Sequence, residues 1–426
     1  MWRIGYNLVL WIALPVVMVK LWWRGLREPL YRHAWRERFG IYDAAPPKTG
    51  RTLWLHAVSL GEVNAASPLI ERLLDHYPQD RIILTQMTAT GREAAIRLFG
   101  GRVTIVWLPY DYSFAVRRFL NTFNPAIGIF IETEIWFNLI EACAKNNVAL
   151  FLANARLSEK SYLGYKKITP LARRAFGAFD AIAAQTTADA ARLSQLGARD
   201  PLVVGNLKFD VVENSQAERL SADFRARYGA RPVLIASNTR DGEEDLLLDA
   251  LANCELGNAL TVIVPRHPDR FDAVAQTMAR RGLRFERRST VAPIGAECNY
   301  FLGDSVGEMG AYYRAADVAF IGGSLLDYGG HNLIEACAAG VPVLIGPYTR
   351  NFEEAARLAI EAGAALRVKN AEEVVTQAKI LFGDSKMRAR MGKAARDFAA
   401  LHRGAAEKML NIVVNLLETS PHQAGD

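Results

Sequence analysis

Val318-Ala319-Phe320-Ile321-Gly322-Gly323-Ser324-Leu325, followed after three residues by Gly329-Gly330-His331-Asn332-Leu333-Ile334-Glu335, decides the fold class of this chain. An apolar strand-like run gives way to glycines, and a helical pattern then continues to Gly340. Strand, backbone-rich loop and helix N-terminus in that order form the place where α/β proteins hold an anionic group. Glycines let the backbone approach a phosphate, and the N–H groups and dipole of the first turn favour its charge. Glu335 stands three residues after Asn332 and could accept from ribose hydroxyls. The same spacing also fits a capping box, with Asn332 as N-cap and Glu335 folding back. The two readings are compatible, and spacing does not choose between them.

At 426 residues the chain exceeds the roughly 250 to 300 at which a single core stops growing, so two domains are expected. The net charge of +6 comes from 51 basic and 45 acidic side chains, and its distribution matters more than its size. Arg3, Lys20, Arg24, Arg27, Arg32, Arg36 and Arg38 face only Glu28 and Glu37 within the first forty residues. No comparable basic run with interleaved aromatics follows, which argues against nucleic acid and for an anionic membrane surface. Cys143, Cys254, Cys298 and Cys337 are scattered, without CxxC or histidine partners at ligand spacing. That usage fits a reducing compartment and no zinc site.

Tyr6 to Trp23 is apolar apart from Asn7 and Lys20, close to the ~20 residues that span hydrocarbon. Trp22-Trp23-Arg24-Gly25-Leu26-Arg27 offers no small-residue cleavage site, which argues against a signal peptide. The run is apolar on many faces, so an uncleaved anchor over residues 1–25 is favoured, with monotopic attachment as the alternative. The arginines that follow keep the remaining chain cytoplasmic by the positive-inside rule.

Short apolar runs then alternate with helical patterns in two series: Thr52 to Val58, Arg81 to Met87, Thr104 to Leu108, Ala126 to Ile131, Val148 to Ala153, Ala181 to Gln185 and Leu202 to Val204, then Pro232 to Ala236, Leu260 to Val264, Val318 to Ile321 and Val341 to Ile345. Such alternation predicts two doubly wound α/β domains with parallel sheets. The expected boundaries are 26–212 and 213–400, with a C-terminal helix and tail over 401–426, the last seven residues disordered. Open α/β sheets bind ligands at strand C-termini, which singles out polar residues there: Glu62, Glu132 and Glu134, Asn154 to Ser158, Gly205 to Asp210, and Pro265-Arg266-His267-Pro268. Acids in a helix's first turn also simply complement its dipole. Taken together, carboxylates in the first domain and an Arg/Gly/Glu anion site in the second suit group transfer from a nucleotide. His267 reads as structural, boxed between Arg266 and Pro268, and His331 as lining the glycine loop.

These residues resemble the 3-deoxy-D-manno-octulosonic acid (Kdo) transferases over nearly the whole chain. The resemblance rests on Trp22-Trp23-Arg24-Gly25, Ser59-Leu60-Gly61-Glu62, Leu108-Pro109-Tyr110-Asp111, Glu132-Thr133-Glu134-Ile135-Trp136, Asn154-Ala155-Arg156-Leu157-Ser158, Gly205-Asn206-Leu207-Lys208-Phe209-Asp210, Val264-Pro265-Arg266-His267-Pro268, Gly303-Asp304-Ser305-Val306-Gly307-Glu308-Met309 and the glycine run above. It implies a GT-B inverting glycosyltransferase at the inner membrane: two Rossmann-like domains, a lipid A precursor (lipid IVA) as acceptor on the anchored one and CMP-Kdo as donor on the other. By the same resemblance Glu62 is the general base, while Glu132 and Lys208 stabilise the transition state. Pro265, Arg266, Val306, Gly307, Glu308, Asn332, Leu333, Ile334 and Glu335 hold CMP, with neither metal nor cofactor. A monophosphate leaving group carries limited charge, so cationic side chains and a helix N-terminus can accommodate it. Two departures stand out. Ser237-Asn238-Thr239-Arg240-Asp241-Gly242-Glu243 replaces the family's usual Ser-Thr-His-Glu-Gly-Glu, adding a permanent cation at Arg240, and Leu333 stands where proline is common. The competing readings are a nucleotide-sugar epimerase or other GT-B glycosyltransferase, and an anchored nucleotide binder without catalysis. A pure binder has no use for Glu62.

Overall fold

The computed structural model describes residues 2–43, 50–210, 215–254, 256–290, 294–295 and 297–419. The expected boundary at 212–213 and the expected disorder of 420–426 lie outside these residues. The chain forms two compact units, Met1–Asp210 with Arg403–Asp426, and Val211–His402.

The first unit opens with helix α1 (Trp2–Arg27). Tyr6 Oη donates to Asp111 Oδ2 (2.8 Å), Asn138 Nδ2 donates to Asn7 Oδ1 (2.7 Å) and Tyr112 Oη donates to the Leu10 carbonyl (2.6 Å). Toward its other end Leu21 is buried with Tyr31 and Ala89. Both ends of α1 therefore rest on the unit. Its outward residues, among them Ile4, Leu8, Ile12, Val16, Val19 and Trp23, are each more than half exposed.

Seven parallel strands follow: β1 (Thr52–His56), β2 (Arg81–Gln86), β3 (Thr104–Trp107), β4 (Ile127–Ile131), β5 (Ala149–Ala155), β6 (Ala181–Ala184) and β7 (Leu202–Val203), in the order β3-β2-β1-β4-β5-β6-β7. Helices cover both faces, which is why the central strands read as continuous apolar runs. Leu53 and Leu55 pack with Val63 and Ile70 of α2 (Leu60–His76). Trp54 points the other way, meeting Phe119 and Phe130 edge-on at 4.9 and 5.0 Å. Helix α3 (Phe137–Lys145) begins just after β4, its first N–H groups taken by the Asp111 carboxylate at Asn138 (2.9 Å) and Leu139 (2.8 Å). The strand order reverses between β1 and β4, and the C-terminal ends of the strands beside such a reversal are where doubly wound sheets form a crevice.

The second unit repeats the plan with β8 (Val233–Thr239), β9 (Leu260–Pro265), β10 (Phe285–Arg287), β11 (Tyr300–Leu302), β12 (Val318–Ile321), β13 (Val343–Ile345) and β14 (Ala365–Arg367), ordered β10-β11-β9-β8-β12-β13-β14. Here the reversal lies between β8 and β12. Helix α4 (Glu243–Asn253) follows β8, and α5 (Ile334–Ala338) follows the glycine loop. Strands β10, β11 and β14 are three residues each. They carry too little pattern to stand out in the sequence.

Helix α6 (Ala405–Thr419) returns to the first unit, burying Met409, Val413 and Leu417 in the cluster that contains Leu69 and Leu73. The Asp210 carboxylate accepts from the Gly404 and Ala406 N–H groups, satisfying donors that a helix start leaves open.

Candidate active site

Glu62 lies in the first turn of α2, beside the β1 end of the first unit's crevice. Its carboxylate accepts from the Val58 N–H (2.8 Å) and the Ser59 hydroxyl (3.1 Å), a local fold-back that any N-terminal glutamate could make. What sets it apart is its ionisation. Burial pushes the carboxyl up to about 7, and the negative charges of Glu132 and Glu134 add to that, although both hydrogen bonds pull the other way. A carboxylate poised near neutrality has the properties of a general base.

Glu132 follows β4 on the other side of the crevice, and its backbone is left-handed (φ 61°). Such a conformation is rare for a residue with a Cβ and commonly marks a functional position. Lys208 Nζ lies 3.6 Å from Glu132 Oε1. Glu134, also after β4, has its carboxyl pushed up to about 6 by burial and by Glu132. Three acids and one lysine thus converge on the edge formed by β1 and β4.

The turn that carries Lys208 is held by a polar network. Asn154, left-handed at φ 54°, accepts the Leu207 N–H on its side chain (3.0 Å). Gln185 donates to the Asn154 carbonyl (3.0 Å) and accepts from Asn206 Nδ2 (3.0 Å), while Asn206 Oδ1 takes the Lys208 N–H (3.0 Å). The Asn154 and Asn206 stretches of the sequence are therefore one device that fixes Lys208. On the neighbouring strands His56 is fully buried, pushed down to about 3 by desolvation, with Nδ1 2.9 Å from the Thr85 hydroxyl. It is neutral and structural.

In the second unit the glycines after β12 are required by close approach. A Cβ on Gly322 would sit 2.6 Å from the Asn238 carbonyl oxygen, and Gly323 is left-handed (φ 69°) against the His331 ring. Glu243, completely buried, ties the two strand ends together by accepting from the N–H groups of Arg240 (2.9 Å), Gly323 (2.6 Å) and Leu325 (2.9 Å). Nothing in the sequence distinguished it from an ordinary first-turn acid. Asn332 Oδ1 accepts the Ile334 N–H (3.0 Å) and its Nδ2 donates to Glu335 Oε1 (3.2 Å). Glu335 thus meets the asparagine side chain, and α5 is a short five-residue helix whose dipole contributes less than the sequence pattern suggested. Leu333 and Ile334 bury their side chains, so only their backbone is available to a ligand. Burial raises the Glu335 carboxyl, while Asn332 and the nearby Arg266 charge lower it.

Pro265 ends β9, and Arg266 extends beyond it with Nη1 3.4 Å from Asn238 Oδ1. Val306 is 66 % exposed and Gly307, left-handed at φ 84°, opens onto free space, so this loop after β11 presents backbone. Glu308 is engaged, forming a two-pronged pair with Arg288 (2.9 Å to each oxygen) and accepting from Ser305 (2.7 Å). Among the described residues no group of three or more His, Cys, Asp or Glu has the arrangement of a metal site.

The family model described as 3-Deoxy-D-manno-octulosonic-acid transferase (kdotransferase) matches residues 33–211, and that for glycosyl transferases group 1 matches 282–398. The 3-deoxy-D-manno-octulosonic acid transferase of Bordetella pertussis is 40 % identical over 97 % of this chain and 99 % of its own length. The Haemophilus influenzae enzyme of the same description is 35 % identical over 98 % and 99 %. The UDP-GlcNAc 2-epimerase of Neisseria meningitidis shares the fold alone, at 14 % identity and a TM-score of 0.58 over 86 % of this chain and all of that one. With two doubly wound units and 35 to 40 % identity to these enzymes over nearly its full length, the chain belongs to the Kdo transferase family of glycosyltransferases.

Proposed function

We propose that this Kdo transferase takes Kdo from CMP-Kdo and attaches it, with inversion, to a hydroxyl of a lipid A precursor such as lipid IVA. The observation that carries the reading is the Glu62 carboxyl at about 7 beside the Lys208–Glu132 pair on the crevice edge. In the reaction the acceptor oxygen forms a bond to the anomeric carbon, and the carbon–oxygen bond to phosphate breaks. CMP departs with the electron pair, and Glu62 receives the acceptor's proton. Lys208, oriented by Glu132, opposes charge that develops as the bonds change. Arg266 accompanies the phosphate, Glu335 and Asn332 the ribose, and the backbone of Pro265, Val306, Gly307, Leu333 and Ile334 completes the CMP site. Glu308 contributes through its hold on the loop. Cationic side chains suffice for a monophosphate leaving group, so no metal is required. Purified protein given CMP-Kdo and tetraacylated lipid A precursor should yield Kdo-bearing lipid by mass spectrometry. No mass increase would reject the assignment.

We further infer that α1 attaches in the plane of the inner membrane's cytoplasmic face rather than crossing it. A 26-residue helix is about 39 Å long at roughly 1.5 Å per residue. If it spanned, Tyr6 and Asn7 would be drawn away from Asp111 and Asn138, leaving polar groups in hydrocarbon. The contacts along both ends, with an apolar outward face and flanking arginines, support an interfacial helix. A protease site placed before residue 1 should be cut from the cytoplasmic side of inverted vesicles. Protection there, with cleavage only from the opposite side, would establish a span.

A further inference from the structure

Around the reversal between β8 and β12 stand two guanidinium groups that form no ion pair within salt-bridge distance among the described residues. Arg240, the residue after β8, directs Nη1 to His267 Nε2 (2.7 Å), and its guanidinium carbon lies 4.7 Å from the centre of the Tyr328 ring. Arg266, after β9, reaches only the amide oxygen of Asn238. The acids close by are otherwise engaged: Glu243 by three backbone N–H groups, Glu244 by Thr239 (2.7 Å) and Arg270 (2.9 Å), Glu335 by Asn332. Asp241 is paired with Arg270 (3.0 Å). His267 and His331 add no charge of their own, since burial and the neighbouring arginines push both below the ordinary histidine range. The result is two permanent positive charges, each at a different strand end: Arg266 has the Glu335 carboxyl near enough to feel its charge, while among the described residues Arg240 makes no ion pair and meets only His267 and the Tyr328 ring.

Two cations so placed suit a ligand with two anionic groups. An ulosonic acid activated as its nucleoside monophosphate is such a ligand, because its carboxylate and its phosphate are borne on one carbon. We propose that Arg240 binds the carboxylate of the transferred sugar, leaving Arg266 to the phosphate. His267 accepts from one prong of the Arg240 fork and Tyr328 supports its flat face, which fixes the remaining donors for a planar two-oxygen partner. A nucleotide sugar without a carboxylate would leave Arg240 unneutralised, so the same contact selects against aldose donors. This inference rests on the reading of the second unit as the CMP-Kdo site.

The test separates the two halves of the donor. Calorimetric Kd for CMP, which has phosphate and no sugar carboxylate, is compared with kcat/KM for CMP-Kdo in wild type, Arg240→Ala and Arg240→Lys. The alanine variant should lower kcat/KM by roughly 10- to 100-fold, the range of a lost charge-assisted pair, while Kd for CMP stays within about 2-fold. Lysine should restore part of the loss, since it keeps charge without the fork. If alanine proves unfolded by circular dichroism, the same divergence between the two readouts is required of lysine. Equal weakening of CMP and CMP-Kdo would put Arg240 on the phosphate and overturn the assignment, as would no change in either. Failure of the wild type to use CMP-Kdo at all would instead remove the underlying donor reading, whatever Arg240 does.

Discussion

Replacing Glu62 by glutamine keeps the shape of the side chain and its contacts with Val58 and Ser59 while removing its capacity to take a proton. Loss of a general base typically costs ~10²- to 10⁴-fold in turnover, and CMP affinity should survive because the proposed nucleotide site is in the other unit. In the wild type the carboxyl at about 7 should appear as an ascending limb in the pH profile of kcat/KM. About a tenth of the maximum remains one pH unit below that midpoint. Glu134→Gln removes one of the charges that raise it, so the limb should move to lower pH. Stability must follow the same ionisation with a defined sign. The folded state keeps a proton on Glu62 where the unfolded chain has lost it, so this contribution is complete below about pH 4.5 and disappears as pH rises through about 7. The charged group then burdens the fold by up to about 3 kcal/mol, an upper limit because the side chain is partly open to water. Glu62→Gln should therefore melt higher than wild type at pH 8, with the gap closing at pH 5, while being nearly inactive. Near-normal turnover would refute the base assignment. An unchanged pH limb together with a pH-independent melting difference would refute the ionisation argument.

Lys208→Met should lower kcat by about 10²-fold, the scale of one lost transition-state contact, with CMP Kd unaltered by calorimetry. Arg266→Ala and Glu335→Ala should each weaken CMP binding by roughly 1 to 3 kcal/mol; unchanged affinity in both would reduce the glycine-loop site to scaffolding. Asp210→Ala should cost about 1 to 2 kcal/mol in denaturant unfolding through loss of the α6 cap. Transfer should continue in excess EDTA. Activity that disappears and returns with magnesium would require metal ligands beyond those described.

The sheets were legible because each central strand, such as Leu53–Leu55 or Ile127–Ile131, is buried on both faces and bounded by turns. Strand β10 was not, since Phe285–Arg287 is only partly buried and contains two charged residues. Among site residues, Glu62, Glu132 and Lys208 lay at predicted strand ends, but their mutual placement depends on strand order, which local pattern does not encode. Glu243 was invisible for a different reason. Its two carboxylate oxygens take the N–H groups of Gly323 and Leu325, both distant in sequence, and an acid in a first turn looks the same whether it faces water or holds two loops together. The left-handed backbones at Asn154 and Asn238 had a faint signal, in that asparagine tolerates that region better than most residues. Their purpose became evident only from what each turn presents.

The sequence places an apolar helix long enough to cross a membrane at one end of the chain and the candidate acids Glu62, Glu132 and Glu134 further along it, and the first unit brings these together. Tyr110 to Tyr112 follow β3, Ala89 follows β2, and Phe137 and Asn138 begin the helix after β4. All of these lie on the C-terminal edge of the sheet, and they are the residues that α1 touches or packs near. Glu62 after β1 and Glu132 after β4 lie on that same edge. If α1 rests in the interface, the edge that carries the base is held beside the headgroups. A lipid acceptor would then offer its sugar hydroxyl without leaving the bilayer, and the cost of extracting acyl chains into water, ~0.8 kcal/mol per methylene, would not burden each turnover. Asp111 supplies the link: one oxygen takes Tyr6 of α1 and Asn138 of α3, the other takes Leu139. The carboxylate that seats α1 also caps the helix leading away from Glu132 and Glu134, so the apolar helix and the acid-bearing edge share one structural support.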